Sequence, residues 1–389
     1  MIKRQMGGKL RAMAKAFPLV LVTGPRQSGK TTLARSVFPN HRYVSLEDPD
    51  TREFATDDPR GFLRQYPDRV ILDEVQRAPE LFSYLQTEVD RTGRPGRYVL
   101  TGSHHFLLME KISQTLAGRI RILHLLPFSL DEISRTAKLS LEHVLFQGLY
   151  PPIYDRRIQP RDWYPGYIQT YIERDVRLVK NVGDLDSFHK FLRLCAGRTG
   201  QLLNLSSLAS DCGITHNTAK AWISILAAGF IVYLLPPYHR NFNKRLVKSP
   251  KLYFYDTGLA CSLLGIEKAS QISTHPLRGN IFETFILSEI VKHRYNRGLE
   301  PGIFFWRDKT GNEIDCVFEK GSSLIPVEIK SSQTFTSELA GNLAYWNRLA
   351  GRPSGPSFLI YAGEENQNRK PTSVVSWKAV GQFCDSREK

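Results

Sequence analysis

Residues 24–31 read GPRQSGKT and begin one residue after the apolar run 19–22. The pattern Gly-x4-Gly-Lys-Thr, placed between a strand and a helix, is typical of a loop that curls until successive N–H groups point at one place. The amino terminus of the following helix adds positive potential there. The pattern therefore predicts a phosphate-binding loop on a mostly parallel sheet.

A nucleoside triphosphate, ATP, is the ligand that such a loop predicts, together with Mg²⁺. Lys30 is expected to reach the β and γ phosphates, and Thr31 to hold the metal ion. The whole loop is predicted to contact the nucleotide. Its residues are Gly24, Pro25, Arg26, Gln27, Ser28, Gly29, Lys30, Thr31 and Thr32.

A second motif follows in residues 69–74, RVILDE, where an apolar run ends in two carboxylates. Asp73 is expected to order the Mg²⁺ shell, and Glu74 to polarise the water that attacks the γ phosphate. An Asp-Glu pair after a strand also occurs as a plain helix cap. The loop upstream favours the catalytic interpretation.

Other apolar runs alternate with helix-like stretches, which favours βα repeats. They cover residues 43–46, 98–100 and 120–126. Because the run 43–46 falls between the two motifs, we expect it to form a strand inserted between those that carry Lys30 and Asp73. That arrangement is found in ATPases with a catalytic glutamate.

Polar groups beyond this pair are candidates for sensing the γ phosphate. Ser103 ends the run YVLTGS, and a simple turn is the alternative. Arg119 is expected to stabilise the developing charge, within one chain or from a neighbouring subunit of a homo-oligomer. Arg121 and Arg174 compete for that role, and surface ion pairs are the alternative for all three.

Several segments together resemble a family of prokaryotic AAA-type ATPases that carry a C-terminal domain of unassigned function. They are GPRQSGKTTL, ILDEVQRAPELFSYLQ, YVLTGS, SQTLAGRIRILHLLPFSLDEI, YIERDVR, KLYFYDTGLA and FFWRDKTGNEIDCVF. The resemblance covers nearly the whole chain. It implies ATP binding.

Residues 205–211, a turn at Gly213 and residues 215–228 have the spacing of a helix-turn-helix, with Thr215 as cap of the second helix. Apolar runs at 230–235 and 252–255 would add the wing of a winged-helix domain. The segment between them holds five basic residues and no acidic one: Arg240, Lys244, Arg245, Lys248 and Lys251. DNA contact and a purely structural lid both remain open.

The last third places Asp315 and, thirteen residues later, Glu328-Ile329-Lys330 on two apolar runs, with Glu283 on a preceding helix. This order resembles the core of the PD-(D/E)xK nucleases, with Ile314 where that pattern has proline. The resemblance implies a restriction-endonuclease-like α/β domain in which carboxylates share Mg²⁺ and Lys330 activates a hydroxide. Ordinary ion pairs at a strand edge are the alternative.

At 389 residues the chain is long enough for two or three domains. We predict a P-loop ATPase domain over residues 1–135, a helical connector over 136–186, a winged helix over 187–260 and a nuclease-like domain over 261–389. The net charge of +15 favours polyanionic partners such as DNA. No apolar run reaches membrane-spanning length, so we expect a cytoplasmic protein without a membrane partner.

Three functions are consistent with these features. The first is a Mg²⁺-dependent ATPase that moves the other domains, on or near DNA. The second is an ATP-regulated DNA nuclease. The third is a regulatory module that holds ATP without hydrolysing it.

Overall fold

The computed structural model describes residues 2–103, 115–134, 140–172, 185–238, 247–321, 323–350 and 355–388. Three β-sheets organise these residues, each joined to its own set of helices. Among them, no helix combines the length and the apolar character needed to cross a membrane.

The first sheet has five parallel strands in the order β2-β3-β4-β1-β5. Its strands are β1 Leu19–Gly24, β2 Arg42–Ser45, β3 Val70–Asp73, β4 Tyr98–Ser103 and β5 Ile120–His124. Its helices are Gly7–Ala16, Lys30–Val37, Pro49–Asp57, Pro59–Gln65 and Leu81–Thr92, with a 3₁₀ turn at Val75–Arg77.

One expectation about this sheet is wrong. The strand that lies between β1 and β3 is β4, which comes after both in sequence, whereas the predicted run 43–46 forms the edge strand β2. The order along the chain could not decide this, because long crossover connections leave the spatial order of parallel strands open.

Strand β1 shows why the sequence folds this way. All of its residues are buried, as expected for a parallel strand covered by helices on both faces. Leu19 and Leu21 pack in one hydrophobic cluster, and Val20 and Val22 pack in another on the opposite face. The strand ends at Gly24, which is the first residue of the GPRQSGKT segment.

A helical segment and a small three-stranded sheet follow. The helices are Leu130–Ile133, Leu141–Gln147, Pro151–Asp155, Pro160–Tyr167, Leu185–Gly197, Leu205–Cys212, His216–Ala228 and Thr257–Leu263, with a π-helical turn at Ile168–Ile172 and a 3₁₀ turn at Ala269–Thr274. The strands are β6 Gln201–Leu202, β7 Val232–Leu235 and β8 Lys251–Phe254, in the antiparallel order β6-β8-β7.

The turn between helices Leu205–Cys212 and His216–Ala228 has the predicted chemistry. Gly213 adopts a positive φ of 71°, a conformation that glycine adopts without strain. The Thr215 hydroxyl accepts a hydrogen bond from the Thr218 N–H at 3.1 Å, so Thr215 caps the second helix.

The C-terminal sheet has six strands in the order β13-β14-β12-β11-β10-β9. They are β9 Ile303–Arg307, β10 Glu313–Lys320, β11 Ser323–Lys330, β12 Ser357–Tyr361, β13 Gln367–Arg369 and β14 Thr372–Ser376. The accompanying helices are Arg278–Asn296, Gly341–Ala350 and Val380–Glu388, with 3₁₀ turns at Ser337–Ala340 and Trp377–Ala379.

The segment after β7 is tied to edge strand β9 by backbone hydrogen bonds. The Phe305 N–H donates to the Pro236 carbonyl at 3.1 Å, and the Tyr238 N–H donates to the Phe305 carbonyl at 2.7 Å. Farther along, the Val247 N–H donates to the Arg307 carbonyl at 3.2 Å. Both flanks of the segment predicted to form a basic wing therefore lie against the C-terminal sheet.

Candidate nucleotide site and acidic cluster

The GPRQSGKT segment forms a tight loop between β1 and helix Lys30–Val37. Gly24 has φ of 151° and Gly29 has φ of 89°, and a Cβ atom added to Gly24 would lie 2.1 Å from the Leu125 carbonyl oxygen. Glycine is required at position 24 because another chain segment passes too close for any side chain.

Lys30 points into the curl of this loop. Its side chain is buried, and its Nζ donates hydrogen bonds to the carbonyl oxygens of Gly24 at 3.2 Å and Pro25 at 2.8 Å. A bound phosphate would meet the ammonium group from the open side of the loop. This placement suits the phosphate-binding role predicted for Lys30.

Thr31 and Asp73 meet where the two sequence motifs come together. The Thr31 hydroxyl donates to the Asp73 carboxylate, at 2.9 Å from one oxygen and 3.0 Å from the other. The same carboxylate accepts from the Tyr43 hydroxyl at 2.8 Å and from the Thr101 hydroxyl. Burial, together with the hydrogen bond to Asp73, raises the pKa of Tyr43 to about 12.

This group of oxygen atoms fits Mg²⁺. A hydroxyl and a carboxylate lie side by side next to the phosphate-binding loop, and hard oxygen donors of this kind are those that Mg²⁺ uses together with phosphates. Thr31 and Asp73 are the residues that would hold the ion.

Glu74 lines the cavity in front of the loop. Its backbone is in the left-handed region, with φ of 55° and ψ of 45°, which is uncommon for a residue other than glycine. The Gln76 side-chain amide donates a hydrogen bond to its carboxylate. Strained backbone of this kind clusters at functional sites, and here it directs the carboxylate into the cavity.

Ser103 is the last residue of β4 and faces the same cavity. Its hydroxyl is buried and, within the described part of the chain, has no hydrogen-bond partner, and the same is true of Ser28 in the loop. A buried hydroxyl without a partner is costly unless a ligand satisfies it. A phosphate oxygen in the cavity would satisfy the Ser103 hydroxyl.

Arg119 does not reach this site in its own chain. It precedes β5, whose first residue, Ile120, pairs with Leu19 at the edge of the sheet opposite the loop. Its guanidinium binds the Asp90 carboxylate at 2.5 and 2.9 Å. The role predicted for Arg119 within its own chain is therefore wrong. Arg119 precedes the amino end of β5, whereas the loop follows the carboxyl end of β1.

Arg121 and Arg174 were the alternatives to Arg119 for stabilising charge at the γ phosphate. Arg121 donates to the Gly298 carbonyl at 2.5 Å, and its neighbour in the sheet is Val20, the second residue of β1, whereas the loop follows the other end of that strand. Arg174 lies outside the described residues. Arg156 of the helical segment does line the cavity and is exposed, but the sequence pattern gave no signal that singled it out.

The cavity in front of the loop has a volume of about 470 Å³ and is closed on one side by the helical segment. Pro151, Asp155 and Tyr171 line that wall. A second cavity of about 940 Å³ shares Gly29 and Pro151 with the first and extends along the N-terminal residues. The two together offer room for a triphosphate and for a nucleoside.

Two further contacts tie the loop to distant segments. The Gln27 side-chain amide donates to the Tyr171 hydroxyl at 2.8 Å and accepts from the Trp163 indole at 3.3 Å. Buried Arg4 donates to the Ser28 carbonyl at 2.7 Å and pairs with Glu132 at 3.1 Å. Sequence reasoning missed Arg4, whose only signal was the basic character of the N-terminal segment.

The four residues predicted for a nuclease-like site lie close together in the C-terminal unit. Lys330 Nζ is 2.6 Å from Glu328 Oε1 and 3.6 Å from Asp315 Oδ2. Carboxylate oxygens of Glu283, Glu313 and Asp315 lie within 4.8 Å of one another. Glu313 was not predicted, although it is two residues from Asp315 on the same strand.

Lys251 occupies this cluster. Its ammonium group is 2.9 Å from Glu283 Oε1 and also binds Glu313, while Tyr253 donates to the same Glu283 oxygen at 2.5 Å. Only 3% of Lys251 is exposed. The expectation that Lys251 belongs to a phosphate-contacting basic wing is therefore wrong.

Burial raises the pKa of two acids in and beside the cluster, Glu283 and Glu328. It raises the pKa of Glu283 to about 7, against the opposing effect of Lys251, and raises the pKa of Glu328 to about 8, with Asp315 adding to the shift. For Lys251 the neighbouring carboxylates outweigh desolvation, which is the largest single effect, and the pKa is raised. The ammonium form of Lys251 is thus favoured.

Three family models match the chain in succession. The first is described as an AAA domain and covers residues 16–134. A domain of unknown function, DUF8612, covers residues 138–270, and another, DUF4143, covers residues 278–380. The AAA match contains the GPRQSGKT segment and the Asp73-Glu74 pair.

Two mycobacterial proteins are similar to the chain over most of its length. They are the uncharacterized proteins Rv2008c of Mycobacterium tuberculosis and Mb2031c of Mycobacterium bovis. Each is 30% identical over 338 residues, which cover 85% of this chain and 74% of the relative.

Solved structures with some similarity include a Walker-type ATPase and a DnaA protein bound to AMPPCP. The Walker-type ATPase PABY2304 of Pyrococcus abyssi is 14% identical, with 68% of this chain and 96% of that chain covered and a TM-score of 0.47. AMPPCP-bound DnaA from Aquifex aeolicus is also 14% identical, with 56% and 84% covered and a TM-score of 0.30.

Proposed function

We propose that this chain, which belongs to one family with the two mycobacterial proteins and matches an AAA domain over residues 16–134, is a Mg²⁺-dependent ATPase whose nucleotide state moves its middle and C-terminal units. The observation that carries the proposal is the junction of Thr31 with Asp73, beside Lys30 and in front of Glu74. ATP turnover in the presence of Mg²⁺ by the wild type and by Glu74→Gln is the direct test.

Each residue has a distinct task in this proposal. The loop amides and Lys30 bind and orient the triphosphate, and Ser103 contacts the γ phosphate. Glu74 accepts a proton from the attacking water once Gln76 releases its carboxylate. Mg²⁺, when bound, neutralises charge on the phosphate oxygens.

Contacts between the loop and the helical segment support the proposed movement. Gln27 is bonded to Trp163 and Tyr171, so a loop that rearranges around phosphate would change those hydrogen bonds. A ligand shifts a conformational equilibrium only through contacts that differ between the two states. These contacts provide such a difference between the nucleotide-free and nucleotide-bound forms.

The middle unit, residues 187–260, is proposed to be a winged helix acting on or near DNA. Its helix-turn-helix and the strand order β6-β8-β7 support this assignment. The basic segment retains exposed Lys248, whereas Arg240, Lys244 and Arg245 lie outside the described residues. A purely structural lid is the alternative, and the docking of both flanks on β9 favours it.

We predict salt-sensitive DNA binding that weakens when Lys244, Arg245 and Lys248 are all replaced by alanine. The slope of log affinity against log salt is negative, and each lost phosphate contact should reduce its magnitude by about 0.9. Fluorescence anisotropy with duplex DNA over a range of salt concentrations measures this slope. The control replaces Lys15, Arg60 and Arg64, exposed residues of the AAA domain, and an equal loss in the control would argue against a DNA-binding wing.

An ATP-regulated nuclease is the second candidate, favoured by the convergence of Glu283, Asp315, Glu328 and Lys330. It predicts Mg²⁺-dependent nicking of supercoiled DNA that disappears in Lys330→Ala. Arg348→Ala, an exposed basic residue of the same unit, is the matched control. Nicking that persists in Lys330→Ala would point to a contaminating nuclease.

Arg119 keeps one proposed role, as a residue supplied to the site of a neighbouring subunit. It lies on the surface, just before the outer strand β5 and at the end of the sheet opposite to its own loop. A second copy of the chain could approach it there. The proposal requires a homo-oligomer. Charge stabilisation by an arginine from another subunit is well established for phosphoryl transfer.

A further inference from the structure

The acidic cluster of the C-terminal unit has the composition of a cation site. Three carboxylates from two elements, helix Arg278–Asn296 and strand β10, bring oxygens within 4.8 Å of one another. Glu328 on the neighbouring strand is 1% exposed, and one of its oxygens has no hydrogen-bond partner within the described part of the chain. Hard oxygen donors at this spacing are those that bind Mg²⁺ or Mn²⁺.

A cation of the chain itself already lies among these carboxylates. The Lys251 ammonium group binds Glu283 at 2.9 Å and also binds Glu313, and both side chains are largely buried. A divalent ion bound by these two carboxylates would have to occupy the same space as the ammonium group. In this conformation the cluster therefore does not fit a divalent metal.

Lys251 comes from a different unit than the carboxylates. It is the first residue of β8, in the three-stranded sheet of the middle unit. The chain that leads to β8 is held on β9 by the hydrogen bonds of Tyr238 with Phe305 and of Val247 with Arg307. Lys251 therefore contacts the carboxylates across an interface between the middle and C-terminal units. Separating the two units would remove Lys251 from the acidic cluster.

The balance of charges also indicates that Lys251 takes the place of a divalent ion. The carboxylates are those of Glu283, Glu313, Asp315 and Glu328, and the cations are those of Lys251, Arg307 and Lys330. With all four carboxylates in the ionised form that a metal ligand requires, and without Lys251, the carboxylates exceed the cations by two, which is the charge that one divalent ion would neutralise.

We propose that Lys251 closes the acidic cluster as an internal substitute for a divalent metal ion, so that metal enters only when β8 leaves the C-terminal unit. The proposal deepens the nuclease-like candidate under the proposed function and rests on its assignment of these residues. It gives the movement between units a chemical consequence, because displacement of β8 converts a closed ion-pair cluster into a metal site.

The test measures Mn²⁺ binding to nucleotide-free protein by electron paramagnetic resonance, and Tm with and without Mn²⁺. Wild type and Glu283→Gln are expected to bind the same amount of Mn²⁺, because the closed cluster takes up none. Mn²⁺ should not change the Tm of the wild type. Lys251→Met should lower Tm, because it leaves buried carboxylates uncompensated, and Mn²⁺ should then raise it again. Adding Glu283→Gln to Lys251→Met should abolish that recovery.

Lys190→Met, at an exposed lysine of helix Leu185–Gly197 in the same unit, is the matched control and should behave as wild type. Lys251→Gln provides a milder variant if Lys251→Met does not fold. Folded Lys251 variants that bind no Mn²⁺ would overturn the proposal, and so would wild-type binding that depends on Glu283. Metal binding without DNA nicking would leave the proposal standing and remove the nuclease candidate.

Discussion

Glu74→Gln is expected to lower ATP turnover by about 10² to 10⁴-fold, the usual contribution of a general base. Glutamine keeps the size of the side chain and can still accept the hydrogen bond from Gln76, so the local structure should persist. ATP affinity should stay close to the wild-type value, because Glu74 faces water rather than the phosphates in the proposed mechanism. Release of inorganic phosphate under saturating ATP measures turnover, and calorimetry measures affinity.

Glu80→Gln is the matched control, since Glu80 is an exposed carboxylate six residues along the chain and does not line the cavity. It should retain wild-type turnover. Equal turnover in wild type and Glu74→Gln would remove Glu74 from the mechanism. ATP binding without measurable turnover even in wild type would favour the regulatory module that holds ATP without hydrolysing it.

The sequence predicted the loop, β1 and the Asp73-Glu74 pair because their information is local. The spacing from Gly24 to Thr31 determines a covalent geometry, and an apolar run before it is enough to predict the strand. Thr31 meets Asp73 because carboxyl ends of parallel strands lie at one edge of a sheet. Similar reasoning predicted that Asp315 lies near Lys330, because the alternation of side chains along two strands places both residues on one face.

The predictions that were wrong concern contacts between segments that are far apart in the sequence. The position of β4 between β1 and β3 depends on crossover connections, which a pattern of apolar runs does not determine. Arg119 has the residue type of a charge-stabilising group, but its place at the amino end of β5 decides against that role within one chain. Lys251 looked like one of several exposed basic residues, and only tertiary packing against Glu283 shows that it is buried.

Lys30→Ala should reduce ATP affinity by at least about 100-fold. Hydrogen bonds to charged groups contribute about 1.5 to 3 kcal/mol each, and Lys30 is expected to contact two phosphates. The variant also loses hydrogen bonds to Gly24 and Pro25 that hold the nucleotide-free loop. Lys30→Met keeps the apolar stem and separates loss of charge from loss of packing. Calorimetry with Mg²⁺ and ATP measures affinity for both variants.

Thermal unfolding provides an independent measurement of the same loss. A ligand that binds only the folded state raises stability by about 2.7 kcal/mol at 100 times its dissociation constant, so the wild type should show a clear increase in Tm with ATP. Lys30→Ala and Lys30→Met should show little increase at that concentration, whereas Lys15→Ala, an exposed lysine of helix Gly7–Ala16, should respond as wild type does. Full retention of the ATP response in both Lys30 variants would mean that the triphosphate is not held by this loop. Thr31, Asp73 and Glu74 would then have no substrate in reach, and the proposed ATPase mechanism would be wrong.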